Sequence, residues 1–146
     1  MRRDEPCFLA LGLLLFFAMA PTLFAVAADS RAIAGIELWE KPLKFELALL
    51  VYLVTLAFFA RFLPAGMTTG RRYRIYSGIV VAAIVVEMAW IGGGAALGTL
   101  SHFNTTPLGG VLYGLMGAAA VLLTSVSAVY AVQIARNPAT GLSPAV

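Results

Sequence analysis

Four long apolar runs, separated by short polar stretches, organise this chain: Cys7–Ala28, Phe45–Leu63, Ile75–Leu100 and Leu108–Ala135. At about 1.5 Å of rise per residue, each is long enough to cross roughly 30 Å of hydrocarbon as a helix. The pattern predicts an all-α integral membrane protein, a four-helix bundle forming a single domain over residues 1–146. The second run is the weakest, because only fourteen residues separate Glu46 from Arg61. Both charges lie near the ends of that run and are expected to snorkel to the headgroups. Pro21 is a candidate kink in the first helix.

The first run also has the parts of a signal peptide: Met1-Arg2-Arg3, an apolar stretch from Phe8 to Met19, and Ala25-Val26-Ala27 as a cleavage-like triplet. Its 22 apolar residues exceed the usual length of such a segment, and it is read as a retained helix.

Composition agrees with the pattern. Hydrophobic residues make up 61% of the chain and charged residues 12%, about half the charge of an ordinary soluble domain. The formal charge of +3 is no nucleic-acid footprint, since the basic residues sit at the ends of the apolar runs. Arg2, Arg3, Arg61, Arg71, Arg72, Arg74 and Arg136 share one side of the predicted membrane, against Arg31, Lys41 and Lys44 on the other. The positive-inside rule then puts both termini in the cytoplasm. Cys7 is the only cysteine, which excludes an intramolecular disulfide and a cysteine-based metal centre within one chain.

Glu87 is the most informative residue. It is the only charge in the 26 residues from Ile75 to Leu100 and lies at their middle. A carboxyl at that depth costs a few kcal/mol unless it faces other helices and finds a partner. Ala83, Glu87, Trp90, Ile91, Gly94 and Gly98 fall on one helical face, whose small residues allow close approach of a neighbour. The nearest in-chain donors by depth are Tyr52 and Thr55 on the second run and Thr124 and Ser125 on the fourth. Two readings stay open: a proton-carrying or ligand-binding carboxyl, and a protonated one that pins helix packing.

Gly94-x-x-x-Gly98 and Gly110-x-x-x-Gly114, extended by Gly117, fit the small-x-x-x-small pattern of membrane helix contacts. They serve equally for packing inside one chain and for a partner. The first run, with Leu13, Leu14, Leu15, Phe16 and Phe17, is bulky all round and suits lipid. His102 is the single histidine; it could ligate a haem only with a second ligand or across a dimer. A surface or turn-capping role is the plainer reading. Trp39-Glu40-Lys41-Pro42-Leu43-Lys44-Phe45-Glu46 reads as a helix entering the membrane interface, with Lys41 and Lys44 able to meet an anionic headgroup or a partner loop.

There is no phosphate-binding glycine loop, Ser/His/Asp set or His-x-x-x-His pair, which argues against most hydrolases and ATP-driven machines. The sequence requires no cofactor or metal. Three functions are carried forward. The leading one is a non-enzymatic accessory or scaffolding subunit, packed against other membrane chains or copies of itself. The others are a proton-coupled small transporter using Glu87, and a haem- or pigment-binding redox protein using His102.

Three blocks together, Trp39 to Phe45, Glu87, and Ser101-His102-Phe103-Asn104 followed by Thr106-Pro107, resemble a group of bacterial integral membrane proteins. Those proteins carry W-x-K-P-x-K-F and S-H-F-N motifs at similar places and have no established activity. The resemblance covers about Leu38 to Ala135. It implies a bacterial inner-membrane location and marks Lys41, Lys44, Phe45, Glu87, His102 and Asn104 as positions to test, without giving them roles.

The topology has a direct check. Cysteines placed at Thr69 and at Thr105 should react with an impermeant reagent from opposite sides of the membrane. Labelling of both from the same side would overturn it.

Overall fold

The computed structural model of the chain describes residues 5–33, 35–99 and 107–138. Helix α1 spans Pro6–Ala28, and a two-residue hairpin follows, β1 Ala32–Ile33 against β2 Ile36–Glu37. Helix α2 spans Glu40–Phe59 and tightens into a 3-10 turn at Ala60–Phe62; α3 spans Arg71–Leu97 and α4 Pro107–Ala135. All four helices are long and apolar enough to cross a membrane.

Helix α2 begins five residues earlier than the apolar run suggests. Pro42 lies in its first turn, where a missing N–H breaks no intrahelical bond. Glu40 and Lys44 then stand one turn apart and form an ion pair at 2.5 Å. Helix α3 ends three residues before the predicted Leu100. Gly98 takes φ +67, its N–H bonds Ala95 O at 3.1 Å, and Thr99 N–H bonds Gly94 O at 2.9 Å. Those two bonds are a Schellman stop, which favours glycine at the left-handed position.

Burial follows a single arithmetic. On α2 the buried positions are Pro42, Glu46, Leu49, Leu53 and Leu56, continuing to Ala60 and Leu63. On α3 they are Tyr73, Ser77, Val80, Ile84, Glu87 and Ile91. Both series advance by alternating fours and threes, the 3.5-residue period that keeps one stripe facing a neighbour along nearly parallel axes. Helix α1 joins them through Phe8, Leu11, Gly12, Leu15 and Thr22. At Gly12 an added Cβ would already be in contact with Leu50, Leu53 and Val54 of α2 at 3.7–3.8 Å.

The pair α1–α2 is the most extensive helix contact in the molecule. The expectation of a first helix bulky toward lipid all round is therefore corrected: Leu15 is buried in the core while Leu13, Leu14, Phe16 and Phe17 point outward. The snorkelling expected of Glu46 is corrected as well. With α2 starting at Glu40, Glu46 stands almost two turns inside the helix on the core stripe and is 5% exposed.

The helices alternate in direction. At one end Asn137 Nδ2 donates to Phe62 O at 3.0 Å, and the hydroxyls of Tyr73 and Tyr130 share a short hydrogen bond. The buried carboxyl of Glu5 interacts with that Tyr73 hydroxyl. Nearby, Tyr76 meets Ser125, and Tyr52 OH reaches both Leu123 O at 2.8 Å and Ser127 Oγ at 2.9 Å. These hydroxyls fasten α4 to α2 and α3. At the opposite end the hairpin segment joins the end of α1, the start of α2 and the end of α3.

Burial raises the Glu5 carboxyl above its ordinary 4.5, and the Tyr73 hydrogen bond offsets this only in part. The folded state therefore favours protonated Glu5. Its contribution is complete below pH 4.5 and is lost as pH rises through the elevated folded value. Melting in mild detergent should show wild-type stability declining from pH 4 to pH 8 relative to Glu5→Gln; parallel curves would contradict this.

Candidate functional site

Glu87 sits at a core position of the α3 stripe, 6% exposed, with Ile84 and Ile91 one turn to either side. The charge that acts on it is the ammonium of Lys41, in the first turn of α2. Because α2 and α3 run in opposite directions, the start of α2 lies beside the C-terminal part of α3. A residue read as interfacial thus acts electrostatically on a carboxyl read as mid-membrane. Glu87 lies ten residues before Leu97, about 15 Å along the helix axis. Lys41 also lies over the Phe45 ring, 5.8 Å from its centroid. Of the marked positions, Lys41 thus lies over Phe45 and acts electrostatically on Glu87. Lys44 is held apart on the exposed side, paired with Glu40.

The four donors expected for Glu87 bond elsewhere. Tyr52 serves α4, Thr55 Oγ1 donates to Val51 O at 2.7 Å, and Thr124 Oγ1 donates to Ala120 O at 3.0 Å. Ser125 Oγ donates to Leu122 O at 2.5 Å and meets Tyr76. Depth alone selected them, and depth does not say which way a side chain points around its helix.

A second buried carboxyl was missed as a site. Glu46 on α2 accepts a hydrogen bond from Thr22 Oγ1 of α1 at 2.9 Å. Its other oxygen, Oε2, is buried with no hydrogen-bond partner. The available signal was the regular four-and-three spacing of Pro42, Glu46, Leu49 and Leu53.

Above these carboxyls the hairpin makes a latch. Asp29, just past α1, accepts Arg31 Nε at 2.8 Å, Arg31 Nη2 at 2.6 Å and Trp39 Nε1 at 2.8 Å. Those donors, Arg31 first and Trp39 second, hold the Asp29 carboxyl well below the usual carboxylate range. Arg31 Nη2 also donates to Ala96 O at 3.2 Å, placing a cation at the C-terminal carbonyls of α3, where the helix dipole favours it. An added Cβ at Gly98 would come within 3.2 Å of Arg31 Nη1. Gly98 is thus a helix stop that makes room for the latch, not a packing position within α3 as expected. Gly94 is buried.

Gly110, Gly114 and Gly117 face outward, and an added Cβ at each would meet nothing within 4 Å. His102 and Asn104 lie outside the described residues. No group of three or more potential metal ligands occurs among the described residues. Comparison with protein-family models, curated proteins and solved structures finds no match to this chain.

Lys41 and Glu87 should be energetically coupled. Measured by thermal stability in detergent, the Lys41→Met/Glu87→Gln cycle should show a coupling of about 0.5–3 kcal/mol, with the double variant less impaired than the two single losses added. Strict additivity would remove the pair.

Proposed function

We propose that this chain is a non-enzymatic accessory or scaffolding subunit of a bacterial plasma-membrane assembly, docking through α4 on another membrane chain or on a copy of itself. The single observation carrying this reading is the outward small-residue face of Gly110, Gly114 and Gly117. Lipid tails are as apolar as leucine, so membrane helices gain by close backbone approach rather than by burying apolar area. A glycine face left open inside the chain supports such an approach from outside it. Helix α4 also has few buried residues for its length: Gly109, Met116, Val126 and Tyr130. The basic residues, seven against three, support an orientation with both termini cytoplasmic.

A second reading is supported by the buried Glu87 and its coupling to Lys41: a small proton-coupled carrier in which this carboxyl exchanges protons. Buried ionisable groups within membrane segments commonly mark ion or proton paths. Glu87→Gln separates the two readings, since an amide can keep a packing hydrogen bond but cannot carry a proton. Proton-coupled uptake abolished in proteoliposomes, with the assembly intact, would select the carrier.

The scaffold reading is tested by native mass in mild detergent. Gly114→Leu has space for the new side chain within one chain and should dissociate the assembly to single chains. Leu14→Ala should leave it whole. An assembly that withstands the first change and fails with the second would refute docking through α4.

A further inference from the structure

The start of α3 concentrates positive charge that nothing in the described chain meets. Arg71, Arg72 and Arg74 are exposed within its first four residues, and its first turn contains no acidic residue. The start of a helix already carries the positive end of the helix dipole, so carboxylates are favoured there and arginines are not. Among the described residues the two ion pairs are Arg31–Asp29 and Lys44–Glu40, both at the hairpin end of the bundle. Glu5 is the described carboxyl at the α3 start, and it is buried against Tyr73 rather than turned to an arginine.

Two of these arginines share a recess. Arg71 and Arg74, neighbours on one helical face, line a hollow of about 330 Å³ together with Thr69 and Ile75. The Thr69 hydroxyl donates to Gly66 O at 3.0 Å, so the side-chain donors left in the hollow are the two guanidiniums. Each is a planar fork that matches two oxygens of a phosphate or carboxylate. Further along α3 the same face turns apolar. Ile75 is 53% and Ile79 52% exposed; Gly78 between them is exposed as well, and an added Cβ there would meet nothing within 4 Å. At 3.6 residues per turn, Arg71, Ile75, Gly78 and Ala82 fall within about 60° of one another. A shallow track, notched at the glycine, thus leads from the paired cations along the outward side of α3.

We propose that this recess binds an acidic phospholipid such as phosphatidylglycerol, its phosphate accepting from Arg71 and Arg74 and an acyl chain lying over Gly78 between Ile75 and Ile79. Charge selects the class of lipid. A zwitterionic headgroup brings its own cation beside the phosphate, and no acid lines the recess to receive it. The apolar track selects a lipid over a free phosphate: it begins in the recess itself, at Ile75, and a soluble phosphate would leave it unused. Basic hollows beside membrane helices suit anionic headgroups, because the attraction acts at short range near the membrane surface. The site lies on the outward face of α3, apart from Glu87 and from the glycines of α4, and does not rest on the reading of either.

The test titrates the full chain in a non-ionic detergent with phosphatidylglycerol or phosphatidylcholine and counts retained lipids by native mass spectrometry. One phosphatidylglycerol should be held saturably, and phosphatidylcholine should not be held at the same concentration. Arg71→Gln and Arg74→Gln should each weaken binding about tenfold, as expected for a lost hydrogen bond to a charged group. Arg136→Gln removes the same charge at the same end of the bundle but outside the recess, and should bind as the wild type does. Gly78→Leu keeps both arginines and has room for its side chain; by filling the track it should also weaken lipid binding. Glycerol 3-phosphate, which has no acyl chain, should not displace the lipid. Equal retention of the two lipids, or a loss in Arg136→Gln as large as in Arg71→Gln, would overturn the proposal and leave only diffuse attraction to that end. Undiminished binding by Gly78→Leu together with displacement by glycerol 3-phosphate would overturn it too, by assigning the recess to a soluble phosphate.

Discussion

A carboxyl group buried among apolar side chains must be neutralised or bonded, and this bundle places two of them on the stripes that hold it together. Glu46 and Glu87 occupy positions in the four-and-three spacing of α2 and α3 that leucine and isoleucine otherwise fill. Two different solutions result. Glu87 feels the opposite charge of Lys41, because antiparallel packing brings the polar start of α2 alongside the C-terminal part of α3. Glu46 is held by a neutral hydroxyl, Thr22, which satisfies only one of its oxygens.

Much of the fold was legible because membrane spans declare themselves by length and hydropathy. Four runs in the sequence became four helices, and the polar start of α2 was visible as a cluster around Trp39 and Pro42. Less legible was where each helix began. Taking α2 from Phe45 made Glu46 a terminal residue free to snorkel; taking it from Glu40, as Pro42 permits, makes the same residue part of the core. A shift of five residues reversed its surroundings. Gly98 changed meaning similarly, because a glycine one residue past a helix end satisfies the same spacing as one inside it.

The site was less legible than the fold, since hydropathy reports depth and says nothing about azimuth. Tyr52, Thr55, Thr124 and Ser125 stand near the expected depth of Glu87 yet turn toward α4 or back to their own carbonyls. Lys41 was overlooked as a partner because it was assigned to the interface, whereas its flexible stem can carry its charge along the helix surface. The glycines of α4 admitted either an internal or an external neighbour, and the placement of the helices leaves Gly110, Gly114 and Gly117 without an internal one.

The two ends of the bundle are joined by different chemistry. At one end the tyrosines of α2, α3 and α4 meet each other and serines, neutral groups, with the buried Glu5 carboxyl beside Tyr73. At the other, Arg31 joins Asp29 beyond α1 to the last carbonyls of α3, with the guanidinium about half exposed at 52%. Interactions between exposed charges weaken over a Debye length of about 8 Å at physiological ionic strength and shorten further in concentrated salt. The bundle therefore meets the solution on the hairpin side with a joint that salt loosens, and on the tyrosine side with buried hydroxyls that salt leaves alone and a carboxyl that answers to pH.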